Sequence, residues 1–74
     1  MKLSLLIPFY NEEEQLNHTL HTVRPILRSV TQDYEIIAVD DGSRDRTWEV
    51  LSDEARRDPR VHAIRFSRNF GKEA

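Results

Sequence analysis

Two adjacent carboxylates, Asp40 and Asp41, stand directly after the apolar residues Ile36-Ile37-Ala38-Val39 and directly before Gly42 and Ser43. Like charges this close are costly unless a cation, hydrogen-bond donors or a polar ligand offsets their repulsion. Two other stretches carry side chains of comparable reach, Pro8-Phe9-Tyr10-Asn11-Glu12 and Ser67-Arg68-Asn69-Phe70-Gly71-Lys72. Between them they offer carboxylates for ribose hydroxyls, a base N–H or a cation, the Tyr10 ring for stacking on a base, and Arg68 and Lys72 for phosphates. A nucleotide fits this inventory. Neither a G-x-G-x-x-G nor a P-loop occurs, which weighs against a dinucleotide cofactor or a nucleoside triphosphatase.

The elements that must position these residues follow from the apolar pattern. Leu3 to Ile7 is a short apolar run ended by Pro8 and reads as a first strand. Asn11 stands where a helix N-cap belongs, with Glu14 at the capping-box position and Glu12 and Glu13 in the first turn. Leu16, Leu20, Val23, Leu27 and Val30 then fall on one helical stripe, which Pro25 is expected to kink or break near Val23 and Arg24. Asp33 closes a polar loop before a second strand from Tyr34 to Val39, whose unbroken apolar run suits burial on both faces. Asp45 is placed as the N-cap of a second helix with Trp48, Leu51 and Ala55 on its apolar stripe, and Pro59 ends it. Val61 to Phe66 alternates more and reads as a third strand nearer an edge, after which Ser67 to Ala74 begins a further helix.

The order is βαβαβ, and its short loops force a parallel three-stranded sheet with right-handed crossovers, the α/β, Rossmann-like half of a doubly wound fold. In such a sheet the carboxyl ends of all strands share one edge, so the three polar stretches meet there. With 74 residues and no cysteine there is one small domain at most and no disulfide to staple it. The apolar share of 38% against 32% charged predicts a thin core and marginal stability for the isolated chain. A net charge of −2 with mixed signs argues against a nucleic-acid partner, which calls for a basic stripe. No apolar run approaches the roughly 20 residues of a membrane-spanning helix, so the chain is expected to be soluble.

With these motifs in place, the sequence resembles the opening of a family 2 glycosyltransferase. Pro8-Phe9-Tyr10-Asn11-Glu12 follows the first strand, Val39-Asp40-Asp41-Gly42-Ser43 with Asp45 follows the second, and Ser67-Arg68-Asn69-Phe70-Gly71-Lys72 follows the third. The nearest likeness is to the branch of dolichyl-phosphate mannose synthase and bactoprenol glucosyltransferase, and it covers essentially residues 1–74. The resemblance implies an N-terminal, incomplete part of a GT-A domain that binds a UDP- or GDP-linked sugar. It also implies a polyprenyl-phosphate acceptor, and Mg2+ or Mn2+ in the complete protein. Carried over motif by motif, Pro8, Tyr10, Glu12, Val39 and Asp41 would line the nucleoside pocket and Lys72, with Arg68, would reach the pyrophosphate. Asp40, Gly42 and Ser43 would shape the loop, Asp40 by accepting backbone N–H bonds and Gly42 by allowing a tight turn. The family's metal-binding D-x-D, its acceptor-activating carboxylate and any membrane helices belong to later segments. No metal ligand or catalytic residue is therefore assigned here, the 74 residues are expected to be inactive alone, and only the complete protein is placed at the cytoplasmic face of a membrane. Arg46 departs from the glycine frequent at that position in the family and bears on the local turn.

Simpler readings stand beside these. His18 and His21 lie three apart with no third ligand nearby, and His62 occupies an ordinary strand position. Trp48 belongs to an apolar stripe, while Glu49, Asp53, Glu54, Arg56 and Arg57 make a solvated helix face with Asp53 and Arg57 at the favourable four-residue spacing. Arg68 and Lys72 could equally be solvated. The alternative function is a receiver-type, non-catalytic module whose acids hold Mg2+ beside a phosphorylated aspartate. That class needs its acid pair after the first strand, where this chain has Pro8 and Phe9, and it leaves Tyr10, Glu12 and Arg68 without a use.

Overall fold

The computed structural model describes residues 2–66. Strands β1 (Leu3–Phe9), β2 (Tyr34–Asp41) and β3 (Val61–Phe66) alternate with helices α1 (Leu16–Val30) and α2 (Thr47–Arg57). The strands pair in parallel in the order β1-β2-β3, the βαβαβ arrangement expected from the sequence. The stretch from Ser67 to Ala74, with Arg68 and Lys72, lies outside the described residues.

Both connections step in the same direction along the sheet, and right-handed crossovers then deliver both helices to one face. Burial follows this. Leu3, Leu5 and Ile7 of β1, Tyr34, Ile36 and Ala38 of β2, and Val61 and Ala63 of β3 form the helix-side layer with Phe9, Leu16, Leu20, Leu27 and Leu51. On the other face Leu6 is 62% exposed, Ile64 42% and Phe66 58%, while Ile37 is half-buried. In the run Ile36 to Val39, Ile36 and Ala38 are fully buried under the helices, while on the other face Ile37 is half-buried and Val39 buried.

Strand β1 continues through Pro8 to Phe9, two residues further than expected. The Leu3 N–H donates to the Asp33 carbonyl beside β2 at 3.0 Å. By the two-residue alternation of a strand, Leu5, Ile7 and Phe9 also aim their amides at β2, and position 8 aims outward from an edge. A missing N–H costs no ladder bond there.

Helix α1 begins at Leu16, later than Asn11 and Glu12 suggested, and has no acid in its first turn. Residues 12–15 form a preceding turn in which the Gln15 and Leu16 amides both donate to the Glu12 carbonyl. Of the expected stripe, Leu16, Leu20 and Leu27 are buried and Val23 is half-buried, but Val30 in the last position is 57% exposed. Of the kink or break expected near Val23 and Arg24, the break does not occur. The helix runs on from Leu16 to Val30 with Pro25 and His21 on its exposed side, where a carbonyl deprived of its N–H partner can be met by water.

Arg24, one residue earlier, joins the two helices. Its Nη2 donates to Glu54 and its Nε to Asp58, each at 3.0 Å. Partial burial works to lower the guanidinium pKa, but the Glu54 hydrogen bond and the charges of Asp58 and Glu54 outweigh it and raise the value above the ordinary one. On α2 the ion pairs have three-residue spacing, Asp53 with Arg56 and Glu54 with Arg57, in place of the expected Asp53–Arg57 pair. Glu54 is thus shared between Arg24 at 3.0 Å and Arg57 at 3.7 Å.

Leu20 is fully buried in the layer between α1 and the sheet. Leu20→Ala is expected to cost about 2–5 kcal/mol, read as a lowered urea midpoint with Trp48 fluorescence as the probe. An unchanged midpoint would mean that α1 does not seat on the sheet as described.

Candidate functional site

The carboxyl edge of the sheet is built from the ends of β1 and β2 and the loops that follow them. Pro8 pairs with Val39 and Phe9 with Asp40 in the parallel register, so Tyr10 and Asp41 follow the last β1–β2 pair at the same level, Asp41 still pairing with Phe66 of β3. Asp40 and Asp41 are the last two residues of β2 itself, not the start of its loop. Successive strand residues face opposite ways, and this separates the acids. Asp40 turns to the helix side and is fully buried, while Asp41 turns to the open side with Val39 and is half-buried.

Asp40 binds inward in two ways. Its Oδ1 accepts the Ser43 N–H at 3.0 Å. Its Oδ2 has no hydrogen-bond partner, but the Arg65 Nε lies 3.6 Å away. Arg65 is the register partner of Asp40 on β3, and its guanidinium lies 5.5 Å from the Trp48 ring of α2. A buried carboxylate is tolerated only when charge and hydrogen bonds answer it, and here the Ser43 amide and the Arg65 guanidinium supply them. Sequence inspection did not single out Arg65. Aligning β2 and β3 in parallel register would have set it opposite Asp40.

The two loops are bonded to each other at several points. The Asn11 N–H donates to Ser43 Oγ at 2.8 Å, and Asn11 Oδ1 accepts the Arg44 N–H at 2.8 Å. The Glu12 N–H donates to Thr47 Oγ1 at 2.8 Å, the Glu13 N–H to Asp45 Oδ2 at 3.3 Å, and the Arg46 N–H to Glu13 Oε1 at 3.2 Å. Asn11 is therefore not an N-cap, and its side chain serves the other loop. Asp45 stands one residue before the N-cap position of α2, which Arg46 occupies, and accepts from both the amide and the hydroxyl of Thr47. Gly42 has φ 74°, a left-handed conformation that suits glycine, and Asn11 has φ 51°, which asparagine tolerates better than most residues.

The remaining nucleotide-contact candidates occupy the same edge. Tyr10 is 45% exposed, Glu12 is half-buried with its Oε1 accepting the Tyr10 N–H at 3.1 Å, Pro8 is exposed, and Val39 is buried. Lys72 lies outside the described residues. A hollow of about 270 Å³ beside the linked loops is lined by Asn11, Glu12, Glu13, Glu14, Gln15 and Asp45, on the α1 side and away from Asp41 and Val39. Its carboxylates are unsuited to diphosphate, so the candidate nucleoside surface is the rim formed by Tyr10, Glu12 and Asp41. Among the described residues no group of three His, Cys, Asp or Glu side chains is arranged to hold a metal. His18 and His21 are exposed on α1, and His62 Nε2 lies 3.3 Å from Glu35 Oε1 at the opposite end of the sheet.

The profile of glycosyl transferase family 2 matches residues 4–74. The chain belongs to glycosyl transferase family 2. Its relatives in that family include the uncharacterized glycosyltransferase YkcC of Bacillus subtilis, 39% identical over 96% of this chain and 22% of the relative. The prophage bactoprenol glucosyl transferase homolog of Escherichia coli is 41% identical over 99% of this chain and 24% of the relative. The undecaprenyl-phosphate 4-deoxy-4-formamido-L-arabinose transferase of Photorhabdus laumondii is 44% identical over 96% and 22%. The chain thus spans under a quarter of the length of these family 2 relatives. The parallel sheet and its helices are the Rossmann-like half of the family's GT-A fold. Among the described residues no helix is long and apolar enough to cross a membrane.

Asp45 provides a pH-dependent test of the linked loops. The Thr47 hydroxyl, with backbone N–H donors, holds its carboxyl below the ordinary value of 3.8, against a smaller opposing effect of burial. A lowered folded-state pKa contributes stability that is present above pH 3.8 and is lost as the pH falls further, through the folded value. Asp45→Asn should therefore lower the urea midpoint at pH 7, and its deficit relative to the parent should shrink as both are acidified below pH 3.8. A deficit that is constant with pH would contradict the assignment.

Proposed function

We propose that this chain is the donor-nucleotide part of a glycosyltransferase that moves a sugar from a UDP- or GDP-linked donor to a polyprenyl-phosphate acceptor. The observation that carries the reading is the rim of Tyr10, Glu12 and Asp41, set on two bonded loops at the carboxyl edge of a parallel sheet, where such folds bind nucleotides. Tyr10 offers a half-exposed ring for the base. Glu12 and Asp41 accept hydrogen bonds from ribose hydroxyls or a base N–H, and Pro8 and Val39 provide apolar backing on the same face. Lys72 serves the diphosphate. Asp40, Gly42 and Ser43 hold the loop beneath the ligand.

In this reading residues 1–74 are an incomplete domain and are inactive alone. The acceptor oxygen attacks the anomeric carbon from the side opposite the diphosphate, so the new C–O bond forms as the bond to the nucleoside diphosphate breaks, with inversion. The described residues do not fit Mg2+ or Mn2+, since no suitable cluster is among them. The cation ligands and the acceptor-activating group are assigned to other parts of the protein, as is membrane association. The acceptor class rests on the likeness to the bactoprenol and undecaprenyl-phosphate transferases.

Calorimetric titration of the full-length protein with UDP and with GDP, each with Mn2+, tests the donor site. One nucleotide should bind, and Asp41→Ala should weaken it at least about ten-fold, the loss typical of a hydrogen bond to a charged group. Binding of neither nucleotide, or full affinity in the variant, would reject the reading.

A further inference from the structure

We infer that Asn11 is a positioning residue whose backbone and side chain together set the gap between the two halves of the nucleoside site. The inference rests on the donor-site reading above and deepens it. Asn11 lies between Tyr10 and Glu12, and neither of its own interactions stays within its loop. Its N–H reaches Ser43 Oγ and its Oδ1 receives the Arg44 N–H, each at 2.8 Å and across more than 30 residues of sequence. Ser43 is in turn fixed to the buried Asp40. A continuous path therefore runs from the floor of β2, through Ser43, to the residue flanked by two of the three rim groups.

The geometry limits what else can occupy the position. With φ 51° the backbone is left-handed, a conformation open to glycine and tolerated by asparagine and aspartate. Glycine would keep the backbone and the Ser43 bond but delete the Arg44 bond. Aspartate would keep an acceptor for Arg44 and tolerate the same φ. Asn11 is itself exposed and adds little to the apolar core, so the bonds can be altered without opening a cavity. Without the Arg44 bond the loop after β2 keeps its tether to Asp40 and the backbone bond from residue 11 to Ser43, but loses the side-chain bond that holds Arg44 to the Tyr10–Glu12 segment. The rim is then held by one bond fewer in the free protein, and the ordering left to nucleotide binding is charged against affinity.

The experiment uses the full-length protein, Asn11→Gly and Asn11→Asp, with UDP and GDP as probes and two readouts. Hydrogen exchange of the free protein should show the Arg44 amide at least about ten-fold faster in Asn11→Gly than in the parent, with Asn11→Asp close to the parent. Calorimetry should show roughly five-fold weaker nucleotide binding for Asn11→Gly, the size of one neutral hydrogen bond, and recovery to within about two-fold for Asn11→Asp. An Arg44 amide still slow in Asn11→Gly would overturn the clasp. A fast Arg44 amide with unchanged affinity would overturn its positioning role. If the parent protein binds neither nucleotide, the donor reading has failed and the positioning role falls with it, while the exchange data report separately on the clasp. Loss of affinity matched by an equal loss in Asn11→Asp would also count against the proposal, because the acceptor would then be irrelevant.

Discussion

A carboxylate with no exposed surface has to be answered by charge or by hydrogen bonds from its surroundings, and Asp40 is the group on which this edge of the molecule depends. One oxygen receives the Ser43 amide and the other faces Arg65 from the neighbouring strand. Arg65 extends over Trp48, so the same charge also engages the first turn of α2. Ser43 passes the constraint to Asn11 and so to the loop after β1. The loop after β1, the start of α2 and strand β3 are thus tied, directly or through Ser43 and Arg65, to a single buried carboxylate. The neighbouring Asp41, one strand position away, is left to the open side.

The same strand alternation gives the sheet its two unlike faces. Equal-handed crossovers in one direction place both helices together, and the apolar residues of odd positions in β1 and even positions in β2 pack beneath them. The other face carries Leu6, Ile37, Ile64 and Phe66 toward its carboxyl end. At its amino end it carries a polar group of Ser4, Lys2 and His62 around Glu35, whose carboxyl the Ser4 hydroxyl, followed by the Lys2 and His62 charges, holds below the ordinary range against some desolvation. Among the described residues the carboxyl edge of the sheet therefore rests on a core with helices on one side, and its two loops are bonded to each other.

Those loops also alter how the helices start. A free helix terminus has four amides without intrahelical partners, ordinarily met by a local cap. In the turn before α1 the Glu12 and Glu13 amides are met by Thr47 and Asp45 from the other end of the site. Neither helix has a side-chain bond from its own N-cap residue. Asp45 and Thr47 at the start of α2 thus serve both their own helix and the loop before α1, which couples the seating of the helices to the separation of the two loops.

The local pattern was enough for the element order, the parallel sheet, and the apolar stripe through Leu16, Leu20 and Leu27. These depend on periodicity and short connections, and periodicity is a property of neighbouring residues. The motifs likewise pointed to family 2 without any coordinates. What the sequence left undecided involves partners more than 20 residues apart: Arg65 against Asp40, Arg24 across to Glu54 and Asp58, and the side chain of Asn11 given to Arg44. Asn11 followed by acids satisfies the local rule for a helix cap, and that rule was overridden because a hydrogen bond goes to the donor or acceptor that tertiary folding brings within reach. Which strand side each aspartate faces, and which oxygen meets which amide, was settled only when the strands fixed their register.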